Sequence, residues 1–292
     1  MRARLTLRPL LLTALCAALL AGCANNKEVQ KLFNNLPDSN AKQMLQGAAE
    51  ATSDVSPEEE RAMGKDMSAL LLGARPLLRH PAAEQYVNRL GLWIALQSER
   101  PDLAWRFGIL DDKGVNAYAA PGGYVFVTKG LLLSVKSESE LAGILGHEIA
   151  HVIKRHHVQV AKKKGMGKLV SGAIGQYAQK QGTPELAAMN NLFKNVYTSG
   201  LDQADEYEAD ELGVVLATRA GYSPYGLPSV LQMFAAANAK DPGFELLFST
   251  HPMPNDRLNR LDKLMGDKLD GFEKTASQDS SRLRNIQRLL AR

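Results

Sequence analysis

Residues 140–153 read E-L-A-G-I-L-G-H-E-I-A-H-V-I, an apolar helical run that nevertheless carries His147, Glu148 and His151. At 3.6 residues per turn the two histidines stand one above the other on a single face. Both imidazoles can therefore reach one metal ion at about 2.0–2.1 Å. Glu148 is rotated by about 100° from His147, placed to address a water at that metal rather than to ligate it. H-E-x-x-H alone is moderately specific, and its seat on an amphipathic helix gives it weight. Such a site needs a third protein ligand and one open position. The fold must therefore bring a further donor to this helix.

His157 lies six residues after His151, a spacing at which some zinc sites take a third histidine. That arrangement needs a glycine to break the helix, and Lys154 stands there instead. On a continuing helix His157 points about 240° away from His151. His156 and His157 are thus expected, with Lys154 and Arg155, at a solvated basic end that suits the helix dipole. No Asp or Glu occurs between Val152 and Pro184, and the acidic cluster is Asp202–Glu211 at the start of a helix. Glu206 and Asp210 are four apart and share a face with Gly213 and Ala217, whereas Glu208 points nearly opposite. Gly143, Gly146 and Ala150 are as small beside the histidines, so the two helices can approach closely. Spacing favours Glu206 as the ligand, with Asp210 orienting a histidine; Glu208 remains the alternative.

Around these helices the chain reads as one mainly helical α+β domain with a small antiparallel sheet. Ser56-Pro57-Glu58-Glu59 forms a capping box with proline at the first helical position, predicting a helix to about Leu72 that stops at Gly73. A second helix is predicted from Pro81 to about Gln97. Short strands follow at 103–110, 115–119 and 123–128, with Asp111–Gly114 as a turn. Lys162–Lys164 and the glycines at 165, 167, 172, 175 and 182 mark a mobile connector that can cover the cleft. Residues 266–292 read as a polar linker and a short helix.

The beginning of the chain reads as an address. Arg2, Arg4 and Arg8 precede an apolar run from Leu10 to Leu20, the pattern of a secretory signal over residues 1–22 and too short to span a bilayer comfortably. It ends in Leu20-Ala21-Gly22-Cys23, which resembles a bacterial lipoprotein box. The resemblance implies a lipid on Cys23, and Ala24 after it resembles proteins sent to the outer membrane. Residues 23–55 follow as a polar tether. Removal of the signal takes three arginines from a chain of 35 basic and 31 acidic residues, leaving it near neutrality with no reason to invoke nucleic acid. With Cys16 and Cys23 as the only cysteines, no disulfide framework exists.

H-E-I-A-H followed some fifty residues later by Glu206-Tyr-Glu-Ala-Asp210 resembles the HEXXH zinc metallopeptidase family of the CAAX prenyl proteases and HtpX, in particular its soluble periplasmic BepA/LoiP-like lipoprotein branch. Asn116-Ala-Tyr-Ala-Ala-Pro-Gly-Gly-Tyr124, Gly221-Tyr-Ser-Pro224 and Ser249-Thr-His251-Pro252 carry the same resemblance, which spans residues 56–265. It implies a gluzincin-like metallopeptidase domain holding one Zn(2+) through His147, His151 and Glu206, with Glu148 as catalytic base and Asp210 behind the ligands. It also implies that His251 can approach the zinc and fill its open position. The Asn116–Thr128 hairpin, with Asn116, Ala117, Tyr118, Gly122 and Gly123, would form the edge that receives extended substrate. The implied activity is endopeptidase cleavage of misfolded or misassembled envelope proteins in the periplasm. An assembly factor or chaperone that binds clients and rarely cleaves is the alternative. Gly200–Gln203 departs from the Ser-Arg pair that many members carry before the acidic motif.

Overall fold

The Ser56 hydroxyl accepts from the Glu59 amide, and the Glu59 carboxylate accepts from the Ser56 amide at 2.8 Å. This reciprocal cap starts α1 (Pro57–Ala74), which runs one residue past the predicted stop. The computed structural model describes residues 55–163, 197, 201–238 and 241–291. Cys23, the signal-like segment and the tether up to residue 54 lie outside the described residues. So do the predicted connector from residue 164 on and residues 183–200, Tyr197 excepted. No helix among the described residues is long and apolar enough to cross a membrane.

Proline at the first position also opens α2 (Pro81–Ala95), whose cap is the His80 side chain accepting from the Ala83 amide. Three strands follow: β1 (Arg106–Leu110), β2 (Ala117–Ala120) and β3 (Tyr124–Thr128). Their order is β1-β3-β2, with β2 antiparallel and β1 parallel to β3. The sheet is therefore mixed rather than wholly antiparallel. After β1 the chain does not turn back beside itself but crosses to the far side of β3, so Asp111–Gly114 is part of a crossing and not a hairpin turn. The true hairpin is Pro121-Gly122-Gly123, where φ values of 76° and 100° are open to glycine at little cost.

Helix α3 (Lys129–Ser134) follows, then α4 (Glu138–Ile153), capped by the Ser137 hydroxyl and buried along almost its whole length. After a two-residue break comes α5 (His156–Lys163). Asp202 caps α6 (Gln203–Arg219), accepting from two amides at its start. Then come α7 (Gly226–Ala236), α8 (Glu245–Thr250), α9 (Pro254–Met265), α10 (Asp270–Glu273) and α11 (Ser281–Leu290). The centre of the fold is the crossing of α4 over α6. A Cβ on Gly146 would stand 2.6 Å from the Gly213 carbonyl oxygen, and one on Gly213 would stand 2.7 Å from the His147 amide nitrogen. Only glycine permits that approach. Gly143, expected on the same seam, instead faces the backbone of Leu227 on α7.

The segment after residue 265 is part of the compact unit Ser56–Arg292. Leu283, Ile286 and Leu290 of α11 enter the same core as Leu131, Leu132 and Val135. The Ser280 hydroxyl accepts from the Glu138 amide, and Arg282 pairs with the Glu138 carboxylate, so this segment braces the start of α4.

Candidate metal centre

Helix α4 delivers His147 and His151 with their Nε2 atoms 3.0 Å apart and their rings edge to face. The first turn of α6 points Glu206 at both, its oxygens 3.5 Å from His151 Nε2 and 3.7 Å from His147 Nε2. The residue that ends α8, His251, brings Nδ1 to 3.1 Å from Glu206 Oε1. One ligand atom from each of these four residues lies within 4.8 Å of the others. A tetrahedral ion bound at about 2.0–2.2 Å keeps its donors roughly 3.3–3.6 Å apart, close to what is observed. His151 and Glu206 are wholly buried (0% exposed), a poor place for ionisable groups without a cation to gather them. Glu148 Oε2 is buried with no hydrogen-bond partner among the described residues, while Oε1 lies 3.6 Å from His251 Nε2. The donor set and this orphaned oxygen fit a metal with a polar guest beside it.

The electrostatics agree with that chemistry. Burial, and then the His147 charge, push His151 well below its ordinary pKa, leaving it neutral and able to ligate. Burial raises Glu148, as suits a proton acceptor working near neutrality, although His251 and His147 partly oppose the rise. Burial also acts to raise Glu206, but His251 and Arg257 hold it well below the usual carboxylate range. His251 is driven down by burial yet raised overall by the facing Glu206 and Glu148 carboxylates.

Asp210 lies one turn after Glu206, with Oδ1 2.9 Å from His147 Nδ1, so it can hold that ring with Nε2 facing the cluster. Behind both carboxylates sits Arg257 of α9, unmarked in the sequence reading. It reaches Glu206 Oε2 at 2.8 Å and forks onto Asp210 at 2.6 and 2.8 Å. Its signal was a charge on an apolar stripe, since Arg257, Leu261 and Met265 fall four apart and form the buried face of α9. Glu60 of α1 was missed as well. Its buried carboxylate takes Arg100, Arg155 and the Gly122 amide, joining α1 to the end of α4 and to the hairpin turn.

The expected solvated basic end is not there. Arg155 adopts φ 59°, a left-handed conformation that breaks the helix without a glycine. The chain swings back, and His156 is buried with Nδ1 2.9 Å from His151 Nδ1. His157 is partly buried, its ring centre 5.9 Å from His151 and 6.0 Å from Tyr197. It offers no donor to the four-residue cluster. Glu208 faces away from that cluster, toward Lys154 and His156.

The predicted substrate strand begins beside the site. Buried Asn116 donates to Thr250 Oγ1, next to His251, and Ala117 lines an apolar recess with His147, Glu148, Leu131, Leu227 and Phe234. Tyr118 turns to the opposite side, edge to face with Tyr197 at 5.5 Å. Gly122 and Gly123 lie in the hairpin turn, at the far end of β2.

Comparison with known proteins agrees with this architecture. Beta-barrel assembly-enhancing protease of Escherichia coli (strain K12) is 29% identical over 217 residues, covering 71% of this chain and 44% of that protein. A putative beta-barrel assembly-enhancing protease of Vibrio cholerae is 28% identical over 216 residues, with the same coverage. Mitochondrial metalloendopeptidase OMA1 of Schizosaccharomyces pombe is 30% identical over 219 residues, covering 72% of this chain and 62% of that protein. The chain thus spans less than half the length of these bacterial relatives. Residues 81–265, from the start of α2 to the end of α9, match peptidase family M48, and the chain belongs to that family.

Proposed function

We propose that the chain is a zinc-dependent endopeptidase of the bacterial envelope, acting on misfolded or misassembled polypeptides. The observation that carries this reading is the convergence of His147, His151 and Glu206 beside a buried Glu148 oxygen that has no hydrogen-bond partner among the described residues. Zinc held there would polarise a peptide carbonyl and lower the pKa of a bound water toward about 7. Glu148 would take the proton of the attacking water and pass it to the leaving amine. Asp210 holds His147 in register, and Arg257 fixes Glu206 and Asp210 against the repulsion of two buried carboxylates. An extended segment laid along β2 would be held by main-chain hydrogen bonds, favouring unfolded chains over one sequence.

The periplasm as location, a lipid on Cys23 and attachment to the outer membrane rest on the signal-like segment ending at Cys23. The names of the bacterial relatives support an envelope role, and the proposal includes envelope assembly machinery among the partners. One observation favours a second reading, a client-binding assembly factor that seldom cleaves. His251 lies against both Glu206 and Glu148, where it would close the position a substrate carbonyl needs. Glu148→Gln separates the two. It should retain zinc and lose degradation of an unfolded protein such as casein; persistent degradation rules out this mechanism.

A further inference from the structure

Asp210 orients only one of the two histidines, and the other ring has its own support. Across its ring from the cluster, His151 Nδ1 lies 2.9 Å from His156 Nδ1, and His156 Nε2 lies 3.1 Å from Glu208 Oε2. His156 is 1% exposed, so this contact is shielded from competing water. We propose that His156 and Glu208 are positioning residues that fix His151 as an Nε2 metal ligand.

The proton inventory closes in one way. With Nε2 of His151 turned to the metal, its single proton resides on Nδ1 and is donated to His156 Nδ1. The proton of neutral His156 then resides on Nε2 and is donated to the Glu208 carboxylate. Asp205, with Oδ1 3.7 Å from His156 Nε2, is too far to replace Glu208. Lys154 holds the other oxygen of Glu208 at 3.0 Å. A single turn of α6 thereby addresses both nitrogens of His151, Glu206 at Nε2 directly and Glu208 at Nδ1 through His156. The left-handed Arg155 makes this possible, because a continuing helix would carry His156 out of reach.

This inference rests on reading His151 as a ligand, and the experiment separates the two failures. Zinc affinity of the full-length protein is measured by competition with a chromophoric chelator, and thermal unfolding is measured on the zinc-free forms. His156→Leu removes the acceptor and should weaken zinc binding by about 10–100-fold, the range for loss of a ligand's supporting partner. His156→Asn places an oxygen near the lost Nδ1 and should recover most of that affinity. Glu208→Ala, at a half-exposed site that tolerates truncation, should weaken binding to a lesser extent even if His156→Leu does not fold. Unchanged affinity in Glu208→Ala and His156→Leu overturns the proposal. Equal loss in His156→Leu and His156→Asn also overturns it, since that would report packing alone. A parent protein that binds no zinc overturns both this inference and the reading beneath it.

Discussion

Gly146→Ala tests whether the α4–α6 crossing sets the metal centre. The added methyl would lie 2.6 Å from the Gly213 carbonyl oxygen and 3.3 Å from both its carbonyl carbon and its Cα. All three are backbone atoms, so no side chain can rotate aside, and the helices must separate by roughly 0.5–0.8 Å to reach ordinary contact. Overpacking of this kind costs about 1–3 kcal/mol, and with backbone on both sides the upper end applies. Alanine returns about 1 kcal/mol of helix propensity. The net loss is about 2 kcal/mol, or roughly 4–8 °C in Tm for a unit of this size. The effect on chemistry should be larger in proportion, because His147 is the next residue and the displaced helix carries Glu206 and Asp210. A shift approaching 1 Å can reduce rate by up to about 100-fold. Thermal unfolding and casein degradation are followed side by side, with Gly271→Ala, where a Cβ meets nothing within 4 Å, as control. A Gly146→Ala variant as stable and as active as its parent refutes the reasoning.

Arg257→Leu strands the Glu206 and Asp210 carboxylates in the interior and should destabilise the zinc-free protein by about 3–5 kcal/mol in urea unfolding. Unchanged unfolding would show that those charges are balanced elsewhere. His251→Ala should raise basal proteolysis if the imidazole obstructs the site, whereas an unchanged or lower rate contradicts obstruction. Cys23→Ser should move the protein from the membrane to the soluble fraction, and unaltered fractionation counts against lipid anchoring.

What was legible in the sequence was whatever follows from helical periodicity. Glu206 and Asp210 share a face by spacing, Glu208 falls opposite, and small residues flank the histidines. The features that escaped depend on backbone breaks or on partners distant in the chain. His156 reaches His151 because Arg155 takes a conformation expected of glycine, and no residue type announced it. Parallel pairing of β1 with β3 is a matter of strand order, which alternation within a strand does not encode. Gly143 meets α7 rather than α6 because a helix buried all round presents small residues to two neighbours at once. Arg257 required knowing that a carboxylate pair 47 and 51 positions earlier would lie beneath it.

The mixed sheet has one consequence for traffic through the molecule. Leu77 and Leu78 bond to the outer border of β1, bridging Leu110 and Ile109, while β3 is enclosed by its two neighbours. A visiting chain that joins by its main chain cannot enter on the β1 side. The berth proposed above is along β2, the strand that starts at the mouth of the buried cluster. If substrate pairs along β2 as proposed, the arrangement that bars stray strands from one flank would also direct it toward the histidines.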